Sequence, residues 1–187
     1  NKAVTWQPEF ARERFEHWVA NAEDWNISRQ RFWGCPIPVW KSEDGDIIVV
    51  GSKKELEEYV GDSLDLDLHE ASSVVFDFEG KAYTRVPDIL DVWFDAAVAP
   101  FAAIGAPHKN NENFMSHFPV DRINESQDQV RGWFYYLSVI GVGVFGKSPF
   151  KHVSMPGWVL DQKGDKMSKS VGNVIWADDG LEMFGAD

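Results

Sequence analysis

The stretch that most constrains this chain is Gln129 to Phe145, a long apolar and aromatic run set between two shorter apolar runs. It is too long for a strand and predicts a buried helix. Gly132, Gly141 and Gly143 lower its intrinsic helix propensity, but glycines on a buried helix permit close packing against a sheet. Ahead of it, His117 to Asn124 alternates weakly and predicts a strand; behind it, His152 to Leu160 is apolar and partly β-branched and predicts another. Strand, helix, strand in this order is the pattern of a parallel α/β sheet. Ligands of such sheets bind outside the carboxyl ends of the strands. Three expected strand ends carry polar groups: Asp95, closing the apolar run from Ile89; the cluster Glu125-Ser126-Gln127-Asp128-Gln129; and the polar loop Asp161 to Asp165 after Leu160. Their convergence predicts a ligand site.

The rest of the chain reads as supporting structure. Pro8 can start a helix, with Phe10, Phe15, Trp18, Val19 and Ala22 at helical spacing, and Asn21 and Asp24 mark its end. Pro36 and Pro38 impose an extended path on Gly34 to Trp40. Asp46 to Val50 predicts a short strand after the Asp44-Gly45 turn, and Lys53 to Val60 a short surface helix, followed by an acidic loop from Asp62 to Glu70.

Charge is unevenly spread. The 187 residues carry a net charge of −12, which by its average field disfavours nucleic acid as a partner. Residues 42–95 alone carry −11, with four basic and fifteen acidic groups, and the other 133 residues sum to −1. The acidic stretch reads as a solvated face, and a polyanionic ligand remains compatible with the rest. The lone Cys35 leaves no internal disulfide framework and no cysteine-rich zinc cluster. No apolar run reaches the ~20 residues of a membrane span, and the amino-terminal residues carry no secretory signal pattern, so a cytoplasmic globular protein is expected.

The most chemical stretch is Lys166-Met167-Ser168-Lys169-Ser170, then Val171-Gly172-Asn173. Lysine is a mobile point charge with three donors, suited to phosphates whose charge changes during reaction. Serine hydroxyls and free backbone N–H groups add donors that can stabilise charge developing on a leaving pyrophosphate. An isolated Lys-x-x-Lys is better explained by an exposed basic loop. The pentapeptide followed by Gly-Asn is more specific, and it resembles the signature loop of class I aminoacyl-tRNA synthetases.

Three other stretches extend the resemblance. Trp25-Asn26-Ile27-Ser28-Arg29-Gln30-Arg31-Phe32-Trp33-Gly34-Cys35-Pro36-Ile37-Pro38 resembles the segment by which the isoleucyl, valyl and leucyl enzymes re-enter the catalytic domain after their editing insertion. Asp91-Val92-Trp93-Phe94-Asp95 and Glu125-x-x-Asp128-Gln129-x-Arg131-Gly132-Trp133-Phe134 resemble the isoleucyl forms. The Trp133-Phe134-Tyr135-Tyr136 run and Asp67-Leu68-His69 look more like the archaeal and eukaryotic-like branch. The resemblance covers nearly the whole chain, in the family's order. No His-Ile-Gly-His tetrapeptide occurs. The resemblance therefore implies the second half of a Rossmann-like nucleotide-binding parallel sheet, α/β in class, with a small acidic α+β insertion. The expected division is 1–41 for a helix and the re-entry segment, 42–88 for the insertion, and 89–187 for the second half of the catalytic domain. Gly180 to Asp187 looks like the start of a family helix cut short, and the chain alone is expected to be inactive.

The resemblance also implies roles. The parent reaction activates isoleucine with ATP, as its Mg2+ complex, to isoleucyl-adenylate and transfers the acyl group to tRNA(Ile). Lys166 and Lys169 would hold the triphosphate, with the larger transition-state role on Lys169, and Ser168 would support the loop. Backbone groups of Val159 and Leu160 would read the adenine edge. Glu125, Asp128 and Gln129 match positions that contact the ribose and the aminoacyl group. Their i, i+3, i+4 spacing can share one face at a helix start, although without the resemblance helix capping is the better explanation of Glu and Asp there. Trp93 and Trp133 match the walls of the isoleucine pocket, although an isolated Trp is more often plain core. Such a pocket cannot strongly reject valine, because one methylene is worth only ~1–3 kcal/mol. That is the reason for an editing insertion just before Trp25. Arg29 and Arg31 read as structural, bonding carbonyls near the re-entry hinge.

Several positions depart from the pattern. Ser126 replaces a common glycine, Ala96-Ala97 replaces Ser-Gly, and Pro156 stands where His or Asn is commoner. Lys41-Ser42-Glu43-Asp44 replaces the Cys-x-x-Cys of some relatives, so no zinc is expected. The resemblance further implies a monomer with no membrane partner. Two competing readings are a valyl enzyme and a non-catalytic module that keeps the nucleotide fold.

Overall fold

A computed structural model describes residues 3–65, 67, 69, 73–106 and 111–186. Three short strands, β1 (Thr5–Gln7), β8 (Val120–Asn124) and β9 (Phe150–Ser154), form a sheet in the order β1-β9-β8, and both pairings are parallel. Val120 faces Phe150 and Ile123 faces Val153 across one pairing; Thr5 faces His152 across the other. Helix α5 (Trp133–Phe145) crosses from β8 to β9, as the strand–helix–strand pattern predicts.

Aromatic packing holds this layer together. Helix α1 (Phe10–Ala20) lays Ala11 and Phe15 against the sheet. Trp6 meets Phe15 at a ring-centroid distance of 5.0 Å and stands edge-on to Phe134 and Phe150 at 6.1 and 6.2 Å. Offset and edge contacts of this kind add to the large apolar area that aromatic rings bury. Gly141 lies on α5 where a Cβ would come within 2.8–2.9 Å of the Pro149 ring. A side chain there would lift α5 off the start of β9.

The acidic stretch forms a second, smaller unit. Strands β3 (Val39–Ser42), β4 (Ile47–Val49), β5 (Val75–Phe78) and β6 (Lys81–Arg85) make an antiparallel sheet in the order β4-β3-β6-β5. Helix α2 (Lys53–Val60) packs Leu56 into a core of Trp40, Val50, Val74, Phe76 and Tyr83. Ser52 caps α2 by accepting from the Glu55 N–H at 3.1 Å, and Gly61 ends it in the left-handed region at φ 78°. Exposed Asp44 and Asp46 flank Lys81, and Asp46 first, then Asp44, raise its pKa.

The re-entry segment joins the two units. Strand β2 (Ser28–Arg29) pairs antiparallel with β7 (Ile89–Leu90). Arg29 bonds the carbonyls of Asn26 and Ser28, as expected of a hinge residue, and also makes a 2.9 Å ion pair with Asp91. Asp91 is buried and accepts from Trp25 Nε1 at 2.8 Å while capping α3 (Val92–Ala102).

Several boundaries differ from the expectation. Asp95 does not end a strand: β7 stops at Leu90, and Asp95 lies in the first turn of α3, because Asp91 supplies a helix cap. The long apolar run is broken at its start: Gln127–Val130 is a 3-10 turn and Gly132 is the N-cap of α5, not an interior residue. The strand expected to reach Leu160 stops at Ser154, because Pro156 cannot donate to a ladder. Helix α6 (Ala177–Phe184) begins ahead of Gly180, which lies inside it. Strand β1 has no counterpart in the sequence reading; three residues are too few to show a period. Leu68, Glu70 and Asp187 lie outside the described residues.

Asp91→Ala removes a helix cap, an indole partner and a buried ion-pair partner together. It should lower stability by on the order of 3 kcal/mol, read as a lower midpoint of urea unfolding. Asp91→Asn, which keeps the shape and one acceptor, should cost less.

Candidate functional site

Because β1, β8 and β9 run in parallel, their carboxyl ends share one edge. Two bonds mark it: Glu125 N–H donates to the Ser154 carbonyl at 3.2 Å, and Met155 N–H donates to the Gln7 carbonyl at 2.7 Å. Every sequence-predicted site residue except Trp93 lies beyond this edge in chain order, in the segments that leave β8 and β9.

Glu125 and Asp128 are exposed in the turn after β8, and Gln129 is half-buried. They do not share one face of an α-helix start, because Gln127–Val130 winds as a 3-10 turn and Glu125 precedes it. Gln129 is committed inside the protein: its Oε1 accepts the Trp133 N–H at 2.9 Å and its Nε2 donates to Asp128 at 2.9 Å. It therefore caps α5 and orients the Asp128 carboxylate. Ser126 has φ −64°, a value open to any residue, so the backbone there does not need glycine.

Trp93 and Trp133 come together where α3 packs on α5. Trp133 Nε1 donates to the Ala96 carbonyl at 3.0 Å. Trp93 stacks on Tyr136 at 5.3 Å, and Tyr136 meets Trp25 at 4.6 Å. Burial first, and the Asp91 carboxylate second, push the Tyr136 phenol above its ordinary pKa, which keeps it protonated. Gly132 sits in the angle between them: a Cβ there would lie 2.9 Å from Trp93 Cη2 and 2.7 Å from Gln129 Oε1. The Ala96 position matters through its carbonyl, not its side chain. Trp133 also lines an apolar cavity of about 200 Å³ with Phe101, Ile104, Phe114 and Leu137.

The Lys-Met-Ser-Lys-Ser loop is held by side chains that the sequence reading did not single out. Asn173 Nδ2 donates to Asp161 at 2.8 Å and to the Lys166 carbonyl at 3.3 Å, while its Oδ1 accepts the Ser168 N–H at 2.9 Å. Asp161 also accepts the N–H groups of Lys163 and Asp165 at 2.9 and 2.8 Å. The Asn173 bond, followed by the Asp165 N–H, holds the Asp161 carboxyl below the usual aspartate range. Ser168 and Ser170 hydroxyls bond each other at 2.8 Å. Leu160 bridges to Lys166, and Val159 beside it is 75% exposed. Lys166 Nζ lies 4.1 Å from the Trp158 ring centre, and Lys169 Nζ lies 5.5 Å from that of Trp176.

A cleft of about 720 Å³ reaches from Asp128 to Trp158. Asp128 and Trp158 line it together with Arg14, His17, Trp18 and Arg131. Arg14 donates to Gln127 at 2.7 Å, and the Arg131 guanidinium lies 5.1 Å over the Trp18 ring. Trp158 thus borders the cleft and also carries the Lys166 ammonium over its ring. Arg14 and His17 escaped the sequence reading because they belong to a helix read only for its apolar face. Among the described residues, no group of three or more His, Cys, Asp or Glu converges to hold a metal, and no helix is long and apolar enough to cross a membrane.

A parallel sheet with polar groups and a lysine loop beyond its carboxyl edge is the arrangement of an α/β ligand-binding domain. The sequence model of tRNA synthetases class I (I, L, M and V) matches residues 1–187, and the chain belongs to that family. It is 44% identical to an isoleucine–tRNA ligase of Chlamydia abortus over all of this chain and 18% of the relative. It is 47% identical to the isoleucine–tRNA ligase of Methanocella arvoryzae over all of this chain and 17% of the relative. The chain therefore spans less than a fifth of the length of these relatives. It resembles in fold the LeuRS–tRNA–LeuAMS ternary complex of Agrobacterium radiobacter K84, with a TM-score of 0.65 and 23% identity over 92% of this chain and 25% of that one.

Gly132→Ala should displace the Trp93 ring and loosen Gln129 from α5. The expected readout is a changed near-ultraviolet circular dichroism signal and a loss of roughly 1–3 kcal/mol from overpacking. For Asp161, a pKa lowered by folding means that its contribution to the loop is fully present above the unfolded value of 3.8 and is lost as the pH falls through the lower folded one. The Lys163 and Asp165 amide resonances should therefore move together on acidification, with a midpoint below 3.8. A midpoint at or above that value would show that the clamp is absent in solution.

Proposed function

We propose that this chain is the second half of the catalytic domain of an isoleucine–tRNA ligase. In this reading residues 1–41 are the helix and re-entry segment, 42–88 the small acidic insertion, and 89–187 the nucleotide-binding half. The whole protein activates isoleucine with ATP and Mg2+ and passes the acyl group to tRNA(Ile), acting as a cytoplasmic monomer with no zinc in this segment. The single observation that carries the reading is the Lys166–Ser170 loop, clamped by Asn173 and Asp161 beside a cleft that Asp128 lines. The isoleucine–tRNA ligases similar to this chain along its whole length support the choice of amino acid. The solved relative holds tRNA and LeuAMS, which supports an aminoacyl-adenylate as the bound species.

The chemistry follows from the residue types. In-line displacement at the α-phosphate needs little covalent help, so catalysis rests on positioning and electrostatics. Lys166 and Lys169 present ammonium groups to the triphosphate, and Lys169 stabilises the charge that develops on pyrophosphate. Ser168, tied by its N–H to Asn173, holds the loop between them. Glu125 and Asp128 accept from ribose hydroxyls. Gln129 spends both ends of its amide on Asp128 and Trp133, so its contribution is to orient Asp128 rather than to donate to the aminoacyl carbonyl. Backbone groups at Val159 and Leu160 meet the adenine edge, and Trp93 and Trp133 wall the side-chain pocket.

The protein that carries this segment should exchange pyrophosphate into ATP in the presence of isoleucine. Lys169→Ala should lower that exchange by about 10²–10³-fold, the usual cost of removing one preorganised charge stabiliser. Exchange with valine but not with isoleucine would identify a valyl enzyme. Absence of exchange with every amino acid would leave a nucleotide-binding module without catalysis.

A further inference from the structure

The two motif lysines of the loop rest on two different indoles. Lys166 Nζ lies 4.1 Å from the ring centre of Trp158, and Lys169 Nζ lies 5.5 Å from that of Trp176. Both distances fall inside the roughly 6 Å at which an indole quadrupole attracts an ammonium. Among the described residues, the third lysine of this loop, Lys163, has no such ring contact. Neither indole is explained by burial: Trp158 is 40% exposed and Trp176 is 56% exposed. A half-exposed Trp gives up much of the apolar gain that justifies so large a side chain. Trp158 also lines the cleft that Asp128 lines, so the residue that holds the Lys166 ammonium borders the cleft.

We propose that Trp158 and Trp176 are positioning residues, each holding one lysine ammonium on its ring face so that both charges are preorganised toward the phosphates of the nucleotide. This deepens the reading of the loop as the triphosphate site and rests on it. Lysine has a long, flexible stem and loses much rotamer freedom when it binds an anion. An indole that already restricts the stem removes part of that loss before the nucleotide arrives. The exposed cation–π contact is weaker than a charge-assisted bond to phosphate, so the ammonium can leave the ring when a phosphate offers itself.

The test separates the ring's π face from its bulk. In the protein that carries this segment, Trp158→Leu and Trp176→Leu should each raise the KM for ATP in amino-acid-dependent pyrophosphate exchange about two- to five-fold. Trp158→Phe and Trp176→Phe, which keep a π face, should restore most of the difference. In a Lys166→Ala background, Trp158→Leu should have no further effect, because the interaction it removes is already gone. In the chain itself, the ε-methylene resonances of Lys166 and Lys169 should be shifted upfield by the rings, and each should return to the ordinary lysine position only when its own indole is replaced by Leu. Ordinary ε-methylene positions in the parent chain, equal rescue by Leu and Phe, or an undiminished Trp158→Leu effect without Lys166 would each overturn the proposal. If Lys169→Ala leaves exchange unchanged, the triphosphate reading itself fails. If Lys169→Ala abolishes exchange while both Trp→Leu variants match the parent, only the positioning role fails.

Discussion

The Asp91 carboxylate is the interaction on which the rest of the site depends. It is buried, and it takes the Trp25 indole N–H, the Arg29 guanidinium and the amino end of α3 at once. Trp25 and Arg29 lie more than sixty residues away in the chain, so one side chain ties the segment around β2 to helix α3. A charge taken out of water is tolerated only when its lone pairs are used, and here they are. Through α3 the same residue sets the position of Trp93, which stacks on Tyr136 and closes against Gly132. Gly132 in turn leaves room for Gln129, whose amide orients Asp128 at the cleft. From Asp91 to the cleft the path runs through side chains in direct contact.

Two kinds of packing support this path. The sheet layer is built from aromatic rings around Trp6 and from the close approach of α5 to Pro149 at Gly141. The small antiparallel unit has its own core around Trp40 and Leu56 and carries most of the negative charge outward. Segregating the charge leaves the other 133 residues close to neutral. Trp33 stacks flat on His69 at 4.7 Å and ties the segment around β2 to the small unit.

The lysine loop is held differently. Its anchors are the polar side chains Asn173 and Asp161 and two half-exposed indoles, not buried apolar surface. Each such bond is worth on the order of 1 kcal/mol net, so the loop can change partners at little cost while its backbone stays tied at Asn173. The loop thus combines a fixed base with loosely held ammonium groups.

Much of this was legible in the residues. The order of apolar runs announced a parallel α/β sheet, the charge count isolated an acidic unit, and Lys166 to Asn173 stood out as a loop rich in lysine and serine. These depend on local composition and spacing, which a linear chain displays. Tertiary structure alone decided that Asp95 belongs to a helix, that Gln129 is spent inside the protein, that Thr5–Gln7 joins the sheet, and that Trp158 and Trp176 meet the two lysines. Each of these rests on a partner distant in sequence or on a side-chain direction. Periodicity carries no record of either, because the free energy of such a contact exists only once the chain has closed around it.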